Sequence, residues 1–78
     1  MEPTDKILVE LTRSEAVVLF EFLARSGEKE GYSIADHAEQ RVLWNLENSL
    51  ESQLWEILDP KYDEILNAAR SAIRGEPV

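Results

Sequence analysis

No cysteine occurs anywhere in the chain, which excludes disulfides and thiolate metal sites. That absence fits a reducing compartment, and the expected location is the cytoplasm. Glycine and proline are scarce, at three each. Gly27, Gly31 and Gly75 never cluster ahead of a helix as a phosphate-cradling loop requires. No stretch approaches the roughly 20 apolar residues that cross a bilayer. Met1 to Asp5 lacks the basic start and apolar run of a secretory signal. Bases are also in short supply: eight lysines and arginines stand against sixteen acids, for a formal charge of −8. Such a surface repels phosphate backbones and anionic headgroups, so neither nucleic acid nor a membrane is an expected partner. A basic protein is compatible with it, although acidity also serves plain solubility.

What remains is enough for one small domain spanning 1–78. The apolar fraction is 44%, that of an ordinary globular protein rather than a disordered tail. A chain of this length buries only roughly 60% of its unfolded surface. Its core is therefore thin, and association is an easy route to burying more.

The expected fold is mainly α, a short N-terminal β-strand followed by three helices in the order strand, helix, long helix, helix. Lys6 to Leu11 is β-prone, with Ile7, Val9 and Leu11 on one side. Thr12-Arg13-Ser14-Glu15 has the spacing of a capping box, predicting a helix from Arg13 to about Ser26, ended by Gly27. Ala16, Leu19, Phe20, Leu23 and Ala24 share its apolar face, with Glu15, Glu21, Arg25 and Ser26 away from it. Val18 and Phe22 fall outside that stripe, so a single buried face does not account for every apolar position.

Glu28 to Gly31 reads as a polar turn, and Tyr32 to Ile34 as a second very short strand or a lead into the next helix. Asp36 to Glu39 repeats the capping-box spacing and opens a helix to Leu58, about 22 residues or roughly 33 Å long. Its core stripe is Val42, Leu43, Leu46, Leu50, Leu54 and Ile57. Asp59 and Pro60 suit the cap and first position of a last helix, which carries Tyr62, Ile65, Leu66, Ala69, Ala72 and Ile73 on one face. Gly75 and Pro77 stop it. The lone strand needs a pairing partner, either Tyr32 to Ile34, the same strand of a second chain, or another protein.

Chemistry finds little support. His37, the one histidine, neighbours Asp36 and Glu39, but adjacent helical residues diverge by about 100° and do not converge on one ion. Glu47, Glu51 and Glu56 invite a divalent-metal reading that a solvated helix face explains equally well. No catalytic residue, metal or cofactor is expected. The aromatic pattern says more. Trp44 and Trp55 lie 11 residues apart, three turns of one continuous helix, and with His37, Asn48 and Glu51 make a second, polar face. A tryptophan buries on the order of 200 Å², so something should cover them: the last helix, a second copy, or a different protein. From Val42 through Asp59 there are four acids and no base, which suits a basic, apolar groove.

Leu11 to Ala16 (LTRSEA), Ala38 to Trp44 (AEQRVLW) and Asp59-Pro60-Lys61-Tyr62 resemble runs in small uncharacterised bacterial helical proteins. That group brings no activity, ligand or partner with it. The expected function is a non-catalytic protein–protein interaction module, homodimeric, with a contact surface drawn from Val9, Val18, Phe22, Trp44, Asn48, Glu51 and Trp55. The alternative is a small acidic inhibitor or antitoxin-like protein that binds a basic protein.

Overall fold

A computed structural model describes residues 2–29 and 33–75, with the side chains of 27–29 left aside. Three α-helices carry the fold: α1 (Arg13–Lys29), α2 (His37–Gln53) and α3 (Tyr62–Arg74), with a single 3-10 turn at Trp55–Leu58 between the last two. Among the described residues there is no strand.

The first two helix starts follow from their own side chains. The Thr12 amide donates to Glu15 Oε1 at 2.8 Å and the Glu15 amide donates to Thr12 Oγ1 at 3.1 Å, a complete reciprocal cap. At α2 the Ala38 amide donates to Asp36 Oδ1 at 2.8 Å. Glu39 reaches past Asp36 and accepts from the Ala35 amide instead. The last helix starts later than its sequence signals: the Lys61 amide donates to Asp59 Oδ1 at 2.7 Å in a turn, but α3 begins at Tyr62 with Lys61 at the cap position and no side-chain cap, so Pro60 is not its first residue. Gly75 closes α3 in the left-handed region at φ 76°, with its amide donating to the Ala72 carbonyl.

Three further boundaries depart from the sequence expectation. First, α1 runs through Gly27 to Lys29. A glycine inside a helix costs only about 1 kcal/mol relative to alanine, less than packing supplies. Ser26, expected on the outer side, is in fact buried. Second, the long helix does not reach Leu58. It stops at Gln53, Leu54 turns extended (φ −107°, ψ 98°), and the chain resumes as the 3-10 turn. No proline or glycine marks this break; the buried side chain of Leu54 and the burial of Glu56 do. Third, the N-terminal strand is absent. Lys6 to Leu11 runs without secondary structure between a tight turn at Glu2–Asp5 and the Thr12 cap, and it makes no backbone hydrogen bond among the described residues. Ser33 and Ile34 form no strand either, and Tyr32 lies outside the described residues.

Helix α1 is the central element, packed on α3 along one side and on α2 along another. Ala16, Val17, Leu23, Leu50, Leu54, Leu66 and Ala69 form the buried core, with Val18, Leu19, Phe20, Leu43, Leu46, Ile57 and Tyr62 half-buried around it. Two of those seven are alanines, so the core is as thin as the chain length implies.

Arg13, Val17 and Glu21, spaced four apart on α1, make the face toward α3 and the 3-10 turn. Val17 is 1% exposed. On either side of it, Arg13 pairs with Glu56 and Glu21 accepts from the Tyr62 hydroxyl at 3.0 Å. Glu56 is therefore a buried ion-pair partner and not part of a solvated face.

Candidate interaction surface

Most of the apolar side chains that the helices leave uncovered fall into three places, with Ile73 on α3 standing apart. The first is the N-terminal arm, Lys6 to Leu11, where Ile7 is 84%, Leu8 93% and Val9 77% exposed. Between this arm and the helices lies an open groove of about 720 Å³, floored by Leu19, Leu46 and Leu50. The arm lines the groove without filling it. The second is an apolar hollow of about 500 Å³ between α1 and the start of α2, lined by Phe22, Ile34, Val42 and Leu43. The Arg25 guanidinium stands over the Phe22 ring, 6.0 Å from its centroid. The third is the outer side of α2 and the 3-10 turn, where Trp44, Asn48, Glu51 and Trp55 are all exposed.

The residues anticipated as a surface are thus distributed over separate places. Val9 stands on the arm and Phe22 in the hollow. Trp44, Asn48 and Glu51 share α2, but the break at Leu54 puts Trp55 on a different element. Val18 is half-buried against the core and offers little to a partner. Of the three covers considered for the tryptophans, the last helix is eliminated: α3 packs on α1 and the 3-10 turn, leaving Trp44 54% and Trp55 62% exposed. The anticipated surface omitted Leu8, and it omitted Ile7 although the alternation had set Ile7 beside Val9. The signal was present, because a β-prone run with nothing to pair with exposes its whole length.

Polar chemistry is sparse. His37 is exposed at the first position of α2. Among the described residues no three histidine, aspartate or glutamate side chains gather as a metal-holding group. The Arg13 guanidinium, chiefly through its hydrogen bonds, holds the Glu56 carboxyl below its ordinary value against the opposing effect of burial. Burial first, and then the hydrogen bond to Glu21, push the Tyr62 hydroxyl up to about 12. Both groups sit in the packing between α1, α3 and the 3-10 turn. Among the described residues no helix is long and apolar enough to cross a membrane.

The chain matches no protein-family model, no curated protein and no solved structure.

Proposed function

We propose that the chain is a non-catalytic interaction module that works as a homodimer through its N-terminal arm. The observation that carries this reading is the arm itself: six residues without secondary structure or backbone hydrogen bonds among the described residues, with three large aliphatic side chains mostly in water. An unpaired, β-prone segment with exposed aliphatics is a ready template for strand pairing.

Surface area supports the same reading. The isolated chain exposes 6480 Å², whereas a compact monomer of 8.9 kDa exposes about 4,800 Å². The difference is larger than the roughly 800 Å² each partner contributes to a standard interface. Shape agrees: the radius of gyration is 14.3 Å, against about 11.5 Å for a compact chain of this length. Sedimentation velocity tests the proposal. A dimer at tens of micromolar that an arm deletion converts to a folded monomer is the expected result. A wild-type monomer at that concentration overturns it.

A second reading rests on the outer side of α2. Exposed Trp44 and Trp55 with Glu51 between them, in a stretch free of bases, suit a basic and apolar groove on a different protein. That reading predicts a complex that high salt dissolves and that Trp44→Ala with Trp55→Ala abolishes.

A further inference from the structure

The arm is bounded on both sides. A tight turn at Glu2–Asp5, closed by the Asp5 amide on the Glu2 carbonyl, precedes it, and the Thr12 cap follows. Only Lys6 to Leu11 is available for pairing, a length of about 20 Å at roughly 3.4 Å per residue. Resting on the proposal of self-association through this arm, the question is which register two copies would adopt.

Symmetry narrows the choice. In an antiparallel ribbon with a two-fold axis normal to it, the same face of each strand lies on the same side. Opposed positions then share parity, and the axis passes midway between the two copies of one residue. Two registers fit within the arm. Centring on Val9 sets Leu8 against the partner's Glu10, an aliphatic chain against a carboxylate. Centring on Leu8 sets Lys6 against the partner's Glu10, and by symmetry Glu10 against the partner's Lys6. In-register parallel pairing would set lysine against lysine and glutamate against glutamate, which is unfavourable.

We infer that two copies pair their arms antiparallel about Leu8, with reciprocal Lys6–Glu10 pairs across the ribbon. Ile7 then stands opposite the partner's Val9 on one face, together with Leu11. Leu8 and the two ion pairs occupy the other. The result is an amphipathic ribbon whose aliphatic face closes over the groove floored by Leu19, Leu46 and Leu50. That contact is necessary, because a two-stranded ribbon alone in water is marginal.

Two measurements on the full chain test the register. Because the natural sequence has no cysteine, Leu8→Cys and Val9→Cys can be oxidised separately without background. Residues directly opposed in an antiparallel pair hold their Cβ atoms about 4.5–5.5 Å apart, near disulfide reach. Leu8→Cys should form a covalent dimer at least about tenfold faster than Val9→Cys, which in this register faces Ile7. In sedimentation, Lys6→Glu and Glu10→Lys each place like charges at both symmetric sites and should weaken the dimer roughly tenfold, while the double reversal restores it. A dimer in which Val9→Cys oxidises as fast or faster, or in which the double reversal fails to recover affinity, overturns the register and leaves self-association standing. A wild-type monomer overturns both.

Discussion

Arg13 and Glu56, 43 positions apart, meet in a two-point ion pair. Arg13 Nε donates to Glu56 Oε2 and Nη2 donates to Oε1, both at 2.7 Å. The same Nη2 also donates to the Gln53 carbonyl at 3.3 Å. One guanidinium therefore ties the first turn of α1 to the end of α2 and to the turn that follows. A cation beside the last carbonyls of a helix is favourable to its dipole, so Arg13 also stabilises the place where α2 stops. The break after Gln53, the burial of Glu56 and the orientation of α1 form a single arrangement.

Glu56→Gln keeps the shape and removes the charge. Arg13 is 58% exposed, so solvent weakens the pair, and the expected loss is on the order of 5 °C in Tm. A carboxyl whose folded value is lowered contributes stability above its ordinary value of 4.5 and forfeits it as pH falls through the lowered one. The melting temperatures of wild type and variant should therefore converge below pH 4.5 as the solution is acidified, measurable by circular dichroism. A constant gap down to complete acid unfolding would show that Glu56 contributes through packing alone.

Tyr62 predicts the opposite end of the scale. Its hydroxyl, raised from the ordinary 10.0 to about 12, favours the protonated form in the fold. The associated stability is present below pH 10 and is lost as pH climbs toward 12. Tyr62→Phe deletes the hydrogen bond to Glu21 and should cost about 1 kcal/mol near neutrality. Above pH 10 that difference should shrink, because the phenylalanine chain has no hydroxyl to ionise on unfolding. Urea titrations at neutral pH and above pH 10 measure both effects.

Gly75 gives a purely backbone test. It sits at φ 76° with nothing within 4 Å of where a Cβ would stand. Gly75→Ala introduces no clash and should still cost about 1 kcal/mol, the left-handed penalty of an L-residue. Gly75→Asn should cost less, since asparagine tolerates that region better. Equal stability of all three chains would mean that the end of α3 frays regardless of its cap.

Much of the helical plan was legible because its signals are local. The Thr12–Glu15 box, the Asp36 cap and the Gly75 stop act within a few residues of one another. The break at Leu54 was not legible, because Leu54-Trp55-Glu56-Ile57-Leu58 continues the helical pattern without a breaker. What ends α2 there involves Arg13, which lies far away in sequence. The second buried face of α1 was hidden for a related reason. Arg13, Val17 and Glu21 look polar at both ends, and only Glu56 and Tyr62 turn that line into packing. The arm was misjudged in a different way. Its β-prone pattern is real, but a pattern of alternation specifies a face and not the partner that must complete the ladder.

The tryptophans separate the two places where a partner would dock. With Trp44 54% and Trp55 62% exposed, their fluorescence should be red-shifted and readily quenched by neutral acrylamide. Trp44→Ala with Trp55→Ala should leave the helical signal intact, since neither ring belongs to the buried core. Ile7→Asp with Val9→Asp should likewise preserve the helices, because both side chains already stand in water. The two pairs differ in what they do to association. Charges placed on the arm must be desolvated when a ribbon forms, so the aspartate pair should abolish the dimer while the alanine pair leaves it. If the outer side of α2 is the contact instead, the roles reverse, and acrylamide quenching falls as the chain is concentrated. Sedimentation of the two double variants, read alongside the concentration dependence of quenching in the natural chain, decides which surface carries the association.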